Sequence, residues 1–525
     1  MGDGQPVVVG GFAPGHQLCH SHVVPGGIIG RGEELEDAAG LVTELERGPA
    51  ALVFAGEPGI GKTSLWRAAV DRAWASSCVV LSAPPVEAEA ALGFAALADL
   101  LGPVIDDVLS ELPEPQRHAL AVALLLEEPD ARRVDQRAVG AATLSVLRAL
   151  AARGPVVVAI DALQWLDGPS ARALDFAVRR LGGLRVGMLA CERIGDSGRV
   201  QLDLGRALPV GRCSRLVLGP LSLAELQLVV KQQLGGSLPH RTLVRIARTA
   251  GGNPFFALEL ARSLADDAST AAALPLPENL RQLVDGRIAG LPRRTREVLL
   301  VAAAVGSPTV ELVASATTGS GGDSARALER AVSAGVITLD GPRIRFAHPL
   351  FATGVYSSAL PSECRLAHRR LVPLVADVEE QARHRALGAQ APDESLASAL
   401  EAAAEHARRR GAPEIAADLA EHARVLTPPG RTAEYRRRSI QAAEYHFHAG
   451  ELRRAREMLE AVLNEASEGL ERADALRLLG EIHYHEDSYD KAIAVLSEAL
   501  EHVGQAGAAV GHRTQPCRRD EHRPS

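Results

Sequence analysis

Ala51-Leu52-Val53-Phe54-Ala55-Gly56-Glu57-Pro58-Gly59-Ile60-Gly61-Lys62-Thr63 is the stretch on which the reading of this chain turns. The apolar run from Ala51 to Ala55 predicts a buried strand, and Lys62 to Trp74 carries a helical pattern. Between them, Gly56 to Thr63 fits the phosphate-loop pattern G-x-x-x-x-G-K-[ST] at every fixed position. The residue types suit an anion. The glycines let the backbone turn tightly and aim its N–H groups at one point. A helix starting near Gly61 adds the positive end of its dipole there. Gly56, Glu57, Pro58, Gly59, Ile60, Gly61, Lys62, Thr63 and Ser64 are therefore the expected contacts of ATP or ADP. Lys62 supplies a point charge for the outer phosphates, and the Thr63 hydroxyl is a ligand for Mg2+.

Working outward, a chain of 525 residues predicts three or four domains, at ~150 residues each. Aromatic residues make up only 3% of it while 46% is hydrophobic, which favours Ala- and Leu-based helix packing over β-sandwiches. The only lysines are Lys62, Lys231 and Lys491. The net charge is −8 and no basic stripe is present, so the chain lacks an electrostatic footprint for nucleic acid. Six scattered cysteines without a C-x-x-C pair predict reduced thiols in a cytoplasmic protein. The start lacks a signal-peptide pattern, and no apolar run reaches the ~18 residues of a membrane span.

Along the chain, residues 1–27 are rich in Gly and Pro and predict a loose tail. The cluster His16, Cys19, His20 and His22 fits no standard zinc spacing. A helix is expected over 33–47, and helices over 94–102, 115–128 and 136–152. Further strands are expected at 78–83, 155–161, 184–191 and 215–218. Strands alternating with helices predict a parallel sheet covered on both faces. Ser222 and Glu225 form a capping-box pattern. From about 240 to 380 the reading is helical, with one hairpin: Val336–Leu339 and Arg343–Ala347 flank Asp340-Gly341-Pro342. Helices around that hairpin predict a winged-helix-like module. From about 390 to 503 helix pairs are expected at 396–425, 432–466 and 469–503. Small residues recur where helices would cross (Ala407, Gly411, Ala416, Ala442, Gly450, Ala475, Gly480). The mid-thirties period predicts TPR-like repeats, with a non-repeating bundle as the alternative.

A phosphate loop needs a carboxylate to hold its metal, usually at a neighbouring strand end. Asp161 closes Pro155-Val156-Val157-Val158-Ala159-Ile160-Asp161 and is the expected Mg2+ acid, or else a helix cap. The next position, where a second acid would orient the attacking water, holds Ala162. Asp167 is the substitute, or a cap for the helix entered at Pro169-Ser170. Arg193 ends the strand expected between the phosphate loop and Asp161. It reads either as a sensor of the γ-phosphate or as a surface arginine. Pro254, in Gly251-Gly252-Asn253-Pro254, either packs against adenine or simply starts a helix after a glycine cap.

Taken together, GEPGIGKTSLW, IDALQWLD, AGGNPFFALELA and HPLFATGVYSSALPSECRLAHRRLV resemble the ATPase core of the large ATP-binding LuxR-type regulators. These are MalT-like members of the STAND class of signalling ATPases. APEIAADLAEHARVLTP and RTAEYRRR resemble the start of their TPR-like sensor region. The resemblance runs over roughly 28–504. It implies an α/β P-loop NTPase domain of the additional-strand type, followed by all-α winged-helix-like and TPR-like regions. The expected division is a tail at 1–27, the NTPase domain at 28–235 and a helical lid at 236–292. A winged-helix-like domain at 293–385, repeats at 386–504 and a disordered tail at 505–525 complete it.

Carried over residue by residue, Gly30 and Arg31 match the entry motif near adenine, Asp161 the metal acid and Arg193 the strand-end sensor. Pro254 matches the adenine-side proline and His348 the winged-helix His-Pro motif. The family implies a switch in which ATP and ADP states control self-association, and repeats that sense an inducer or protein partner. DNA would be bound only through a C-terminal helix-turn-helix, a pattern these residues lack. Two other readings stand beside it: an active ATPase remodeller, and a helical scaffold with a vestigial nucleotide site. No membrane partner is expected.

Overall fold

The apolar runs that predict strands assemble into one parallel sheet. The computed structural model describes residues 27–129, 134–194, 202–235, 238–266, 280–317, 321–465, 469–486 and 488–513. Its strands are β1 (Ala50–Gly56), β2 (Val79–Ala83), β3 (Val156–Ile160), β4 (Val186–Arg193) and β5 (Cys213–Val217), ordered β2-β3-β4-β1-β5. Every neighbouring pair is parallel. β1 and β3 are buried along their whole length, as expected for a sheet covered on both faces. β5 is the mostly uncovered edge. The strand that carries the phosphate loop and the strand that carries Asp161 are not neighbours, because β4 lies between them.

The chain folds into two compact units that do not follow chain order. One comprises residues 33–219, 303–306 and 356–525; the other comprises 1–32, 220–302 and 307–355. The sheet lies in the first. So do the successive helices Glu394–Arg410, Pro413–Val425, Thr432–His448, Leu452–Glu465, Leu470–His485 and Tyr489–Arg513. These helices share a continuous hydrophobic core with those flanking the sheet. Phe94, Leu97 and Val139 belong to the same buried cluster as Leu400, Ala412, Ile415 and Ala416. Polar contacts fix the junction. The Val134 N–H donates to the Arg409 carbonyl at 2.9 Å, and Gln136 Nε2 to the Gly411 carbonyl at 2.6 Å. Arg172 pairs with Glu414. Burying polar groups at such a junction is tolerable only because they are satisfied.

The second unit holds Leu223–Leu234, His240–Ala250 and Pro254–Asp266 around Leu226, Ile246 and Leu260. Ser222 and Glu225 form the capping box, with the Ser222 N–H donating to Glu225 at 2.7 Å. Helices Val310–Ala316 and Gly321–Ser333 precede an antiparallel hairpin of β6 (Ile337–Asp340) and β7 (Arg343–Phe346). Gly341 makes its turn at φ 55°.

The helix Tyr489–Arg513 runs nine residues into the stretch expected as a disordered tail from 505. The expected tail at 1–27, apart from Gly27, and its His16, Cys19, His20 and His22 lie outside the described residues, as do 514–525. Among the described residues, no helix is long and apolar enough to cross a membrane, and no group of His, Cys, Asp and Glu is arranged to hold a metal ion by itself.

Candidate functional site

β1 delivers the phosphate loop to the carboxyl edge of the sheet, where ligands of open α/β sheets bind. Gly59 and Gly61 take φ values of 80° and 105°, left-handed conformations in which a side chain would be strained. The helix Lys62–Ala75 starts at Gly61 with no side chain capping it. Its first N–H groups therefore have no side-chain acceptor, which is the donor set an anion needs. The Lys62 ammonium donates to the carbonyls of Gly56 at 2.9 Å and Glu57 at 2.8 Å. Burial lowers its pKa, against the raising influence of Cys191 and Asp161.

The second half comes from β3 and β4. Thr63 Oγ1 lies 3.3 Å from Asp161 Oδ1 across 98 residues of sequence. Both side chains expected to hold Mg2+ thus converge. Burial pushes the Asp161 pKa up, and hydrogen bonds from Thr63 and Cys191 oppose that push, as do the charges of Arg67 and Lys62. Arg193, at the tip of β4, pairs in register with Gly56, and its charge acts on Lys62. The structure therefore brings Gly56 to Ser64, Asp161 and Arg193 to one edge. The donors fit a nucleotide polyphosphate with a hydrated divalent cation held between Thr63 and Asp161.

Asp167 is not gathered with them. It is only 1% exposed and caps the helix Gly168–Val178. Its carboxylate accepts the N–H groups of Ser170 at 2.9 Å, Phe94 at 2.9 Å and Ala96 at 3.1 Å. Three buried backbone donors and the Ser170 hydroxyl occupy this carboxylate, so in place of the catalytic role expected of Asp167 the structure supports the helix-cap alternative. Asp167→Ala leaves three buried donors without an acceptor and is expected to cost about 3 kcal/mol. Asp167→Asn keeps one oxygen and is expected to cost roughly half that. Urea titration followed by tryptophan fluorescence checks this, since Trp66, Trp74 and Trp165 all lie between residues 33 and 219. A midpoint unchanged in Asp167→Ala would contradict the anchoring role.

The residues assigned to the adenine side lie in the other unit. Gly30 has φ 70°, and a Cβ there would stand 2.5 Å from Glu225 Oε1. The segment Gly30-Arg31 therefore packs closely on the start of Leu223–Leu234, and Arg31 is buried. Pro254 opens its helix one residue beyond the left-handed pair Gly251 and Gly252, with Asn253 between. Asn253 Oδ1 accepts the Phe256 N–H at 3.1 Å. The neighbouring Phe255 stacks on His348, with centroids 4.2 Å apart and planes at 16°. The glycine-proline motif and the His-Pro motif, 94 residues apart, thus meet through one ring stack.

Sequence reasoning missed Cys191. It lies on β4 beside Phe54 of β1, one residue past Ala190, which pairs with Ile160 at the end of β3, and it is 1% exposed. Its thiol hydrogen-bonds to Asp161; burial and then the Asp161 charge hold its pKa well above normal. It is therefore a neutral thiol beside Asp161, the candidate metal acid. The signal was its position two residues before Arg193 on the inserted strand.

Residues 28–189 match the family model described as AAA ATPase domain. None of the curated proteins matches the chain. Among solved structures it is similar to a Walker-type ATPase of Pyrococcus abyssi, at 15% identity and a TM-score of 0.30, covering 62% of this chain and 96% of that one. It is also similar to a point variant of RuvB from Thermotoga maritima, at 16% identity and a TM-score of 0.28, covering 60% of this chain and 92% of that one. With the strand order and the phosphate loop already in place, residues 28–189 are an AAA-type P-loop ATPase domain, joined within this chain to a helical C-terminal region.

Proposed function

We propose that this chain is an ATP-binding signalling switch of the LuxR/MalT-like type. The observation that carries the nucleotide part is the convergence of Thr63 and Asp161 beside a loop whose Lys62 sits among Asp161, Cys191 and Arg193. Bound Mg2+ would supply charge neutralisation of the phosphates. Thr63 and Asp161 are its candidate ligands, and Cys191 keeps Asp161 oriented. Lys62 and Arg193 are the proposed sensors that distinguish ATP from ADP, and the positive charge that both bear at the loop supports this. Gly30, Arg31 and Pro254 keep the base-side role that the resemblance implies, and within their own unit His348 braces the segment containing Pro254 through Phe255.

Slow turnover, or none, fits the catalytic edge. Ala162 carries no carboxylate, and Asp167 is committed to backbone N–H groups. A site that binds ATP without a positioned base suits a latch better than a motor. The helix pairs from 394 onward serve as the proposed TPR-like sensing surface for an inducer or protein partner. The helical lid at 236–292 and the winged-helix-like module at 293–385 complete the proposed division.

The test is assembly. Sedimentation velocity of the chain with ATP and Mg2+ is expected to show larger species than with ADP and Mg2+. Identical distributions in both nucleotides would overturn the switch, and rapid multiple turnover would favour the remodeller instead.

A further inference from the structure

The turn after β3 is joined to the helical region by a path of hydrogen bonds and short stretches of backbone. It begins at Ala162, next to Asp161, which adopts φ 77°. A side-chain-bearing residue in that region costs roughly 1 kcal/mol or more and persists only where its surroundings hold it. The short 3-10 turn Leu163–Trp165 leads on to Asp167. The Asp167 carboxylate holds the Phe94 N–H at 2.9 Å. Phe94 is itself left-handed, at φ 63°, an outlier for a bulky residue. Two strained residues thus flank the buried Asp167 carboxylate.

One residue before Phe94, the Gly93 carbonyl accepts from Arg410 Nη2 at 2.9 Å. The same nitrogen donates to the Ala123 carbonyl at 3.2 Å. Arg410 closes the helix Glu394–Arg410 and is 2% exposed. Its other terminal nitrogen faces Glu379 at 2.8 Å and Asp377 at 3.7 Å. Glu379 is equally buried and also meets His406 Nδ1 at 3.0 Å. One guanidinium therefore reads two carbonyls of the ATPase domain with one side of its fork and two carboxylates of the helical region with the other. A buried charge of this kind tolerates little displacement of either set of partners.

We propose that Arg410 is a positioning residue for Asp161. Through Gly93, Phe94 and Asp167 it couples the state of the Mg2+–nucleotide site to the helical region, and the coupling runs equally in both directions. The proposal rests on the nucleotide-binding reading above. Strain at Ala162 and Phe94 makes the turn sensitive: a small shift at Arg410 releases Phe94, loosens Asp167 and re-aims the residue beside the metal acid.

The experiment measures ATP affinity with a fluorescent ATP analogue in the full chain, with Mg2+ and with chelator, so that the Mg2+-dependent gain is read separately. Arg410→Met is expected to lose about 5- to 10-fold of that gain, with affinity in chelator unchanged. Arg410→Lys keeps the charge but not the fork and is expected to recover part of it. The double variant Arg410→Met with Asp167→Asn is expected to lose no more than the larger single loss, because both act on one path. Arg438→Met is the control. Arg438 is also 2% exposed but is held by Glu394 and Glu401 within the helical region. It is expected to lower thermal stability and leave the Mg2+-dependent gain intact.

An undiminished gain in Arg410→Met with wild-type far-UV circular dichroism would overturn the coupling, as would an equal loss in Arg438→Met or additive losses in the double variant. Should Arg410→Met fail to fold, Arg410→Lys carries the comparison, with about a threefold loss expected and no loss overturning it. Absence of ATP binding by the wild-type chain would overturn the nucleotide reading and this coupling together, a result distinct from every variant-specific one.

Discussion

Lys62→Ala is expected to weaken ATP binding about 100-fold, or about 3 kcal/mol. The ammonium is partly buried, rests on the carbonyls of Gly56 and Glu57, and has its pKa lowered chiefly by burial. A desolvated cation of this kind gains most when an anion arrives, because the phosphate replaces solvation that the protein has already removed. Alanine loses the charge-assisted contact and takes one donor from each loop carbonyl, leaving the Gly56 carbonyl with the Ile194 N–H and the Glu57 carbonyl with the Ile60 N–H. Lys62→Arg is expected to recover little, since a planar guanidinium is a poor substitute for a compact ammonium at the base of a tight loop. Titration calorimetry checks the affinity. Thermal denaturation checks it again, because the upward shift with excess ATP should vanish in the variant. Wild-type affinity in Lys62→Ala would reduce the loop to a structural turn and favour the scaffold reading.

Asp161→Asn is expected to separate metal from nucleotide. The carboxylate that faces Thr63 at 3.3 Å would lose its charge with little change in shape. ATP affinity in Mg2+ should then fall about tenfold or more, a loss of at least about 1.4 kcal/mol. Affinity in chelator should hold or rise, because a negative charge beside the phosphates has been removed. Only the Mg2+ arm is expected to weaken, so general destabilisation cannot imitate the result. Equal weakening with and without Mg2+ would show that Asp161 supports the loop and does not hold the cation.

What the sequence made legible was local. Gly56 to Thr63 carries its own geometry, since Gly59 and Gly61 supply the left-handed turns and Lys62 opens the helix. The β-branched run Val156-Val157-Val158 can hardly be anything but a buried strand, and Asp340-Gly341 marks its hairpin. What stayed hidden depends on partners far along the chain. Asp167 has the look of a catalytic acid from its nearness to Asp161 in sequence, and only the fold supplies the Phe94 and Ala96 N–H groups that occupy it. Cys191 belongs to no motif and is marked only by its distance from Arg193, because its place beside Asp161 comes from β4 lying between β1 and β3. Arg410 reads as one of three consecutive arginines at a helix end, a solvated cluster by any periodicity argument. It is buried only because Gly93 and Ala123 arrive from over 280 residues away.

The continuous core that runs from the sheet's helices into the helical region also determines where this chain can be cut. Motif boundaries invite a fragment ending near residue 235, carrying the phosphate loop and Asp161 intact. Such a fragment would expose the apolar face that Leu400, Ala412, Ile415 and Ala416 cover, along with the Val134 N–H and the Gly93 carbonyl that residues 409 and 410 satisfy. A surface of that kind promotes aggregation. The smallest soluble piece that retains the nucleotide site is therefore set by packing, and it extends past the first helix pair of the C-terminal region.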